Sequence, residues 1–128
     1  MKYLGIDYGE KNVGIAISDD SGEMAFAKIV LENDKNLLEN ILNICNEENI
    51  ETIVIGESFN FEGKPNPIMK KISFFKKELE NNSQLPVYLE PEFLTSAEAE
   101  RIQGKTDKLD ASAAALILKS YLDSRLQN

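Results

Sequence analysis

The chain has 128 residues, enough for one domain with a single core and too few for two lobes. With no histidine and one cysteine (Cys45), it excludes a Ser-His-Asp hydrolase, a histidine-based ribonuclease, a His/Cys zinc site and an internal disulfide. A hydrophobic content of 42% fits a folded soluble protein, while a net charge of −8 argues, taken alone, against a nucleic-acid binder, so any catalysis must run on carboxylates, hydroxyls, lysines or a metal with oxygen ligands.

Lys2 to Asp7 reads as a buried strand that ends in the turn Tyr8-Gly9-Glu10-Lys11-Asn12. Val13 to Ser18 is a second strand, and Asp19-Asp20-Ser21-Gly22 connects it to a third over about Met24 to Leu31. Three strands in succession predict an antiparallel meander. The period then becomes helical: Leu37, Leu38, Ile41, Leu42 and Cys45 mark an amphipathic helix from Asp34 to Glu48. Thr52 to Gly56 is a short buried strand. Asn66-Pro67, a cap followed by proline, starts a helix that runs to Asn81, with Ile68, Ile72 and Phe75 pointing inward and Phe74 also expected in the core. Val87 to Leu89 centres a fifth strand. Thr95-Ser96-Ala97-Glu98 fits a capping box for a short helix to Gln103, and a last helix spans Asp107 to Leu126. Its alanines allow a close approach to a sheet. The order predicts a mixed five-stranded α/β sheet, a meander extended by two parallel strands and flanked by helices, as one domain over 1–128. No leader pattern and no run of roughly 18 apolar residues is present, so a cytoplasmic protein is expected.

Five carboxylates could carry chemistry. Asp7 ends the first strand, Glu57 follows Gly56 at the end of the fourth, and Glu92 follows the fifth. Asp107 and Asp110 share a face at the start of the last helix. Each alone reads as an ordinary turn, cap or loop acid. Right-handed crossovers would set the first and fourth strands side by side, bringing Asp7 and Glu57 to one sheet edge within reach of the last helix. Acids gathered in this way repel one another unless a cation joins them, and carboxylates with water suit Mg²⁺ or Mn²⁺. Such ions hydrolyse phosphodiesters without histidine.

Gly5-Ile6-Asp7-Tyr8-Gly9, Lys11 and Val13-Gly14-Ile15-Ala16-Ile17-Ser18-Asp19 resemble the opening of the YqgF/RuvX family. The resemblance continues through Ile53-Val54-Ile55-Gly56, Asn60-Phe61-Glu62-Gly63, Leu85-Pro86-Val87, Glu92-Phe93-Leu94-Thr95-Ser96-Ala97-Glu98-Ala99 and Leu109-Asp110-Ala111-Ser112-Ala113-Ala114. It implies an RNase H-like fold and a metal-dependent endonuclease using two Mg²⁺ or Mn²⁺ ions, acting on the 5′ end of precursor 16S rRNA or on a Holliday junction. Asp7 and Asp110 match the family's first and last acids, and Glu92 the glutamate of its Asp-Glu-Arg-Leu-Thr-Thr segment. That segment here reads Pro91-Glu92-Phe93-Leu94-Thr95-Ser96, without the aspartate and the arginine. Gly56-Glu57-Ser58 stands where the family has Gly-Leu-Pro. Related RuvC-type resolvases carry an acid after this strand, so the resemblance offers Glu57 as a sharer of the second carboxylate role and Asp107 as an extra ligand.

The basic residues are unevenly spread. Lys64, Lys70, Lys71, Lys76 and Lys77 fall in one stretch that holds no acid, although the chain as a whole is acidic. Lys64, Lys70, Lys71 and Lys77 are the candidates for phosphate contacts, with Lys11 beside the proposed metals and Arg101 near the last helix. Phe59 and Phe61 could stack on a splayed base. Two rivals stand beside the nuclease reading. One is a phosphate-loop ATPase, for which the chain is too short; the other is a catalytically silent RNA- or ribosome-binding protein on the same fold. A junction resolvase would also be expected to act as a homodimer.

Overall fold

In the computed structural model, the first three strands form the predicted meander: β1 (Tyr3–Tyr8), β2 (Asn12–Ser18) and β3 (Ala25–Glu32). Residues 1–59, 62–93 and 111–126 are described by the structure. The β2–β3 connection is held by the Asp19 carboxylate, which accepts hydrogen bonds from the Glu23 and Met24 amides (2.9 and 3.2 Å) and from the Ser21 hydroxyl (2.8 Å). These donors favour the ionised form and pull its pKa below the ordinary value. Gly22 closes the turn at φ 72°, a conformation that suits a residue without a Cβ.

Helix α1 (Leu37–Glu47) then crosses to β4 (Thr52–Phe59), which lies parallel to β1 with Leu4 opposite Ile53 and Ile6 opposite Ile55. Helix α2 (Met69–Ser83) crosses to β5 (Val87–Phe93), parallel to β4, and α3 (Ser112–Leu126) closes the described chain. The sheet has five strands in the order β3-β2-β1-β4-β5. This is the expected mixed topology, with β1 at its centre.

Strand alternation divides the core into two layers. Leu4, Ile6, Ile15, Ile53 and Ile55 face α1 and α2, meeting Leu37, Ile41, Ile72, Phe75 and Leu79. Tyr3, Ala16 and Val54 face the other way, onto Ala114, Ile117, Leu118 and Leu122 of α3. The close approach expected of the alanine-rich helix needs the strands' cooperation as well. A Cβ on Gly5 would stand 2.8 Å from Leu118 Cβ and 3.1 Å from the Ala114 carbonyl, so only glycine lets α3 settle there. Among the described residues no helix is long and apolar enough to cross a membrane.

Three local expectations change. β4 does not stop at Gly56 but continues to Phe59, since β5 pairs with it as far as Phe93. Glu57 and Glu92 therefore sit on strands rather than after them. Asn66 does not cap α2 with its side chain, which donates instead to the Ser58 hydroxyl (2.7 Å). Its carbonyl accepts the Met69 amide (2.9 Å), making a turn ahead of a helix that starts two residues late. Finally, Phe74 is 66% exposed while Phe75 is buried. The inward stripe is Ile72, Phe75 and Leu79, at spacings of three and four, and a residue one step of about 100° from Phe75 lies off that stripe. The expected helix from Thr95 to Gln103 and the first residues of the last helix, 107–110, lie outside the described residues.

Candidate active site

Asp7 lies near the C-terminal end of the central strand, opposite Gly14 on β2. Its face is fixed by its neighbours. A Cβ placed on Gly14 would meet Ala111 Cα at 3.5 Å, Ala114 Cβ at 3.6 Å and Asp7 Cβ at 3.7 Å. Asp7 therefore projects on the α3 side, beside the point where α3 begins, and Gly14 leaves the space that lets helix and carboxylate share it. Asp7 is half-buried, and burial raises its pKa above the ordinary carboxyl value. No hydrogen bond or ion pair from the described residues offsets that cost. Such a carboxylate is a hard donor with no cationic partner among the described residues, which fits an oxygen ligand for a divalent cation. Among the described residues no group of three or more acids or cysteines stands together as a metal site.

The turn after Asp7 is well held. The Asn33 side chain donates to the Gly9 carbonyl (2.7 Å), and the Asn33 amide donates to the Lys11 carbonyl (2.9 Å). Lys11 itself is exposed on this turn, at the Asp7 end of the sheet. A groove of about 580 Å³ borders the start of α3, lined by Asn12, Ala27, Val30, Glu32 and Ala111 among others.

Glu57 is brought to the same end of the sheet as Asp7 but to the other face. Ile53 and Ile55 belong to the layer under α1 and α2 and Val54 to the layer under α3, so alternation gives Glu57 to the first layer and Gly56 to the second. The β4 position level with Asp7 and on its face is thus Gly56. Sequence reasoning could not see this, because parity depends on the Ile6–Ile55 register and the strand was expected to stop at Gly56. Glu92 lies on β5 opposite Ser58. Asp107, Asp110, Arg101 and Phe61 lie outside the described residues.

Of the basic candidates, Lys64, Lys70, Lys71 and Lys77 are all exposed, the last three along α2. Lys71 reaches Glu10 at 3.8 Å, which links the first turn of α2 to the turn after Asp7. Lys64 stands 4.0 Å from Glu62. An aromatic group that sequence reading missed lies on the Asp7 face: Tyr88 of β5 stacks on Tyr121 of α3 (5.9 Å, 19°), and the Arg125 guanidinium lies over the Tyr121 and Tyr3 rings. Its signal was the period of three to four that places Tyr121 and Arg125 on one side of the last helix.

Known proteins match almost the entire chain. The "Putative pre-16S rRNA nuclease" of Nitratidesulfovibrio vulgaris is 38% identical, over 96% of this chain and 94% of its own length. The protein of the same name from Thermoanaerobacter pseudethanolicus is 34% identical, over 98% of both. Among solved structures, Thermus thermophilus RuvC superposes with a TM-score of 0.64 at 16% identity, covering 99% of this chain and 97% of that one. The fowlpox virus Holliday junction resolvase gives 0.56 at 20% identity, covering 97% and 99%. These two likenesses establish the RNase H-like fold that the sequence implied. The RuvX family profile, described as Holliday junction resolvase, matches residues 1–124. A profile match over nearly the whole chain and relatives more than 30% identical along almost all of it show that the chain belongs to the RuvX family.

Proposed function

We propose that this protein is a metal-dependent endonuclease that hydrolyses phosphodiester bonds in structured nucleic acid, with the 5′ end of precursor 16S rRNA as its substrate in the cytoplasm. The observation that carries the reading is Asp7: a half-buried acid on the central strand, facing the start of α3, with no cationic neighbour among the described residues. In a histidine-free chain this is the arrangement expected of a cation site rather than of proton transfer by imidazole. The names of the curated relatives support the RNA substrate.

Asp7 would hold the metal, with Asp110 and Glu92 completing the ligand set from the last helix and from β5. Mg²⁺ or Mn²⁺, as a pair of ions, would supply water activation and charge neutralisation at the leaving oxygen. The chain's own part is to fix ligands on rigid elements. β1 is flanked by strands on both sides, so the Asp7 backbone cannot drift, and α3 is locked against Gly5 and Gly14. Glu57, on the other face, and Asp107 stand outside this minimal set. Lys11, Lys64, Lys70, Lys71, Lys77 and Arg101 would hold the phosphate backbone without reading sequence.

The test is cleavage of a structured precursor RNA and of a four-way DNA junction with Mg²⁺ or Mn²⁺. Asp7→Asn should lower the rate by no less than the roughly 10- to 100-fold that loss of an outer-shell partner costs a metal site. Glu57→Gln should leave most of the activity. Cleavage that survives both chelation and Asp7→Asn defeats the reading. The resolvase fold favours branched DNA as the second substrate, and faster cleavage of the junction than of the RNA would select it.

A further inference from the structure

Phe74 is the most exposed of the large apolar side chains in the described structure, at 66%. It lies on α2 between Lys70, one turn before it, and Lys77, two turns beyond Lys70 on the same stripe. Neither lysine forms an ion pair among the described residues, and both are exposed. Lys71, on the adjoining stripe, makes only the 3.8 Å contact with Glu10. Glu78 is the acid one turn further along, and Lys76 is neutralised by Glu80 at 3.1 Å on the flank that turns toward the core. The result is an aromatic ring between two unpaired ammonium groups, inside the longest acid-free stretch of a chain with net charge −8.

An occupant must satisfy both the ring and the charges. Ammonium groups on either side of a flat apolar face suit an anion that itself carries flat apolar faces. An unpaired stretch of nucleic acid meets that description, its phosphates set against lysines and a base laid on the ring. Base–aromatic stacking requires no sequence, which agrees with the backbone-level contacts proposed for the lysines. The patch is also well placed. The Lys71–Glu10 contact sets the first turn of α2 beside the turn that follows Asp7, so a strand bound on the α3 face at Asp7 would reach α2, on the opposite face, by rounding this end of the sheet.

We infer that Phe74, with Lys70 and Lys77, is a stacking subsite for an unpaired nucleotide of the substrate, outside the catalytic centre. This rests on the nuclease reading and adds a substrate feature to it: a single-stranded segment flanking the structured part. The protein contains no tryptophan, so Phe74→Trp places a single tryptophan, excited apart from the tyrosines at wavelengths beyond their absorption, at the subsite. Binding is measured in EDTA, where no cleavage occurs, with an RNA hairpin carrying a single-stranded uridine tail and with the same hairpin blunt-ended.

The tailed RNA should quench the tryptophan of Phe74→Trp and the blunt RNA should not. Phe74→Leu, which keeps an apolar side chain but loses the ring, should bind the tailed RNA about tenfold more weakly and the blunt RNA as wild type does. Equal affinity of Phe74→Leu and wild type for the tailed RNA, or binding without quenching, overturns the subsite and leaves the nuclease reading intact. Equal weakening for both RNAs overturns it as well, since the residue then acts through the helix. If wild type binds neither RNA, the subsite and the nuclease reading fall together. A change of oligomeric state in Phe74→Leu, read by light scattering, would overturn it in favour of a surface between copies.

Discussion

Asp7 carries two opposite costs, and they can be measured apart. Because burial raises its pKa, the native metal-free protein holds the Asp7 proton at pH values where the unfolded chain has released it. Stability is therefore lost as pH rises from the ordinary value of 3.8 through the raised native value, and the loss is complete above it. Asp7→Asn removes that cost. The variant should unfold a few degrees higher than wild type at pH 7 without divalent ions, and the gain should vanish below about pH 4. Added Mg²⁺ should reverse the order, because only wild type gains stability from binding, about 2.7 kcal/mol at a hundred times the dissociation constant. Thermal melts with and without Mg²⁺ give all four values. Cys45 makes a simpler case. Burial pushes its thiol up to about 11, so an alkylating reagent at pH 8 should modify the folded protein only as fast as α1 opens.

At the scale of elements, the path from sequence to structure was clear wherever a period ran long. The meander, α1, the two crossovers and the order of elements were legible, since hydrophobic alternation and helical stripes each extend over several residues. What was not legible depended on register or on a single step of angle. Glu57 and Gly56 differ by one position, and only pairing with β1 decides which shares the face of Asp7. Phe74 and Phe75 are both apolar, yet a step of about 100° separates the core from water. Asn66-Pro67 gave the right neighbourhood for α2 and the wrong cap, because Ser58 of the lengthened β4 competes for the Asn66 side chain. Gly5 was part of a recognised motif, but its packing role against Leu118 appears only once α3 is docked. Gly5→Ala should therefore cost about 1–3 kcal/mol by forcing α3 outward, and it should reduce cleavage more than binding. Gly63→Ala, at φ 80° with open space around it, should cost about 1–2 kcal/mol through backbone strain alone and spare both cleavage and binding. Chemical denaturation and single-turnover cleavage distinguish the two.

For the whole molecule, charge is the decisive quantity. An acidic protein that binds a polyanion does so through the few cations it can present, so affinity should fall steeply with salt. Replacing Lys70 or Lys77 with alanine should weaken binding to all sequences alike. Each loss should flatten the plot of log affinity against log salt by about 0.7 for a single strand, as expected when one phosphate contact disappears. Titrations of the wild type and the two variants at several salt concentrations test this. The same architecture has a consequence in time. Asp7 belongs to the first strand, whereas the helix that packs beside it, starting at Ala111 and Ser112, comes from the far end of the sequence. A ribosome making this chain exposes the acid long before the docking helix. The growing polypeptide thus carries Asp7 without its helical neighbour until α3 has been made, so, on the proposed reading, a chain halted before α3 should leave RNA uncut.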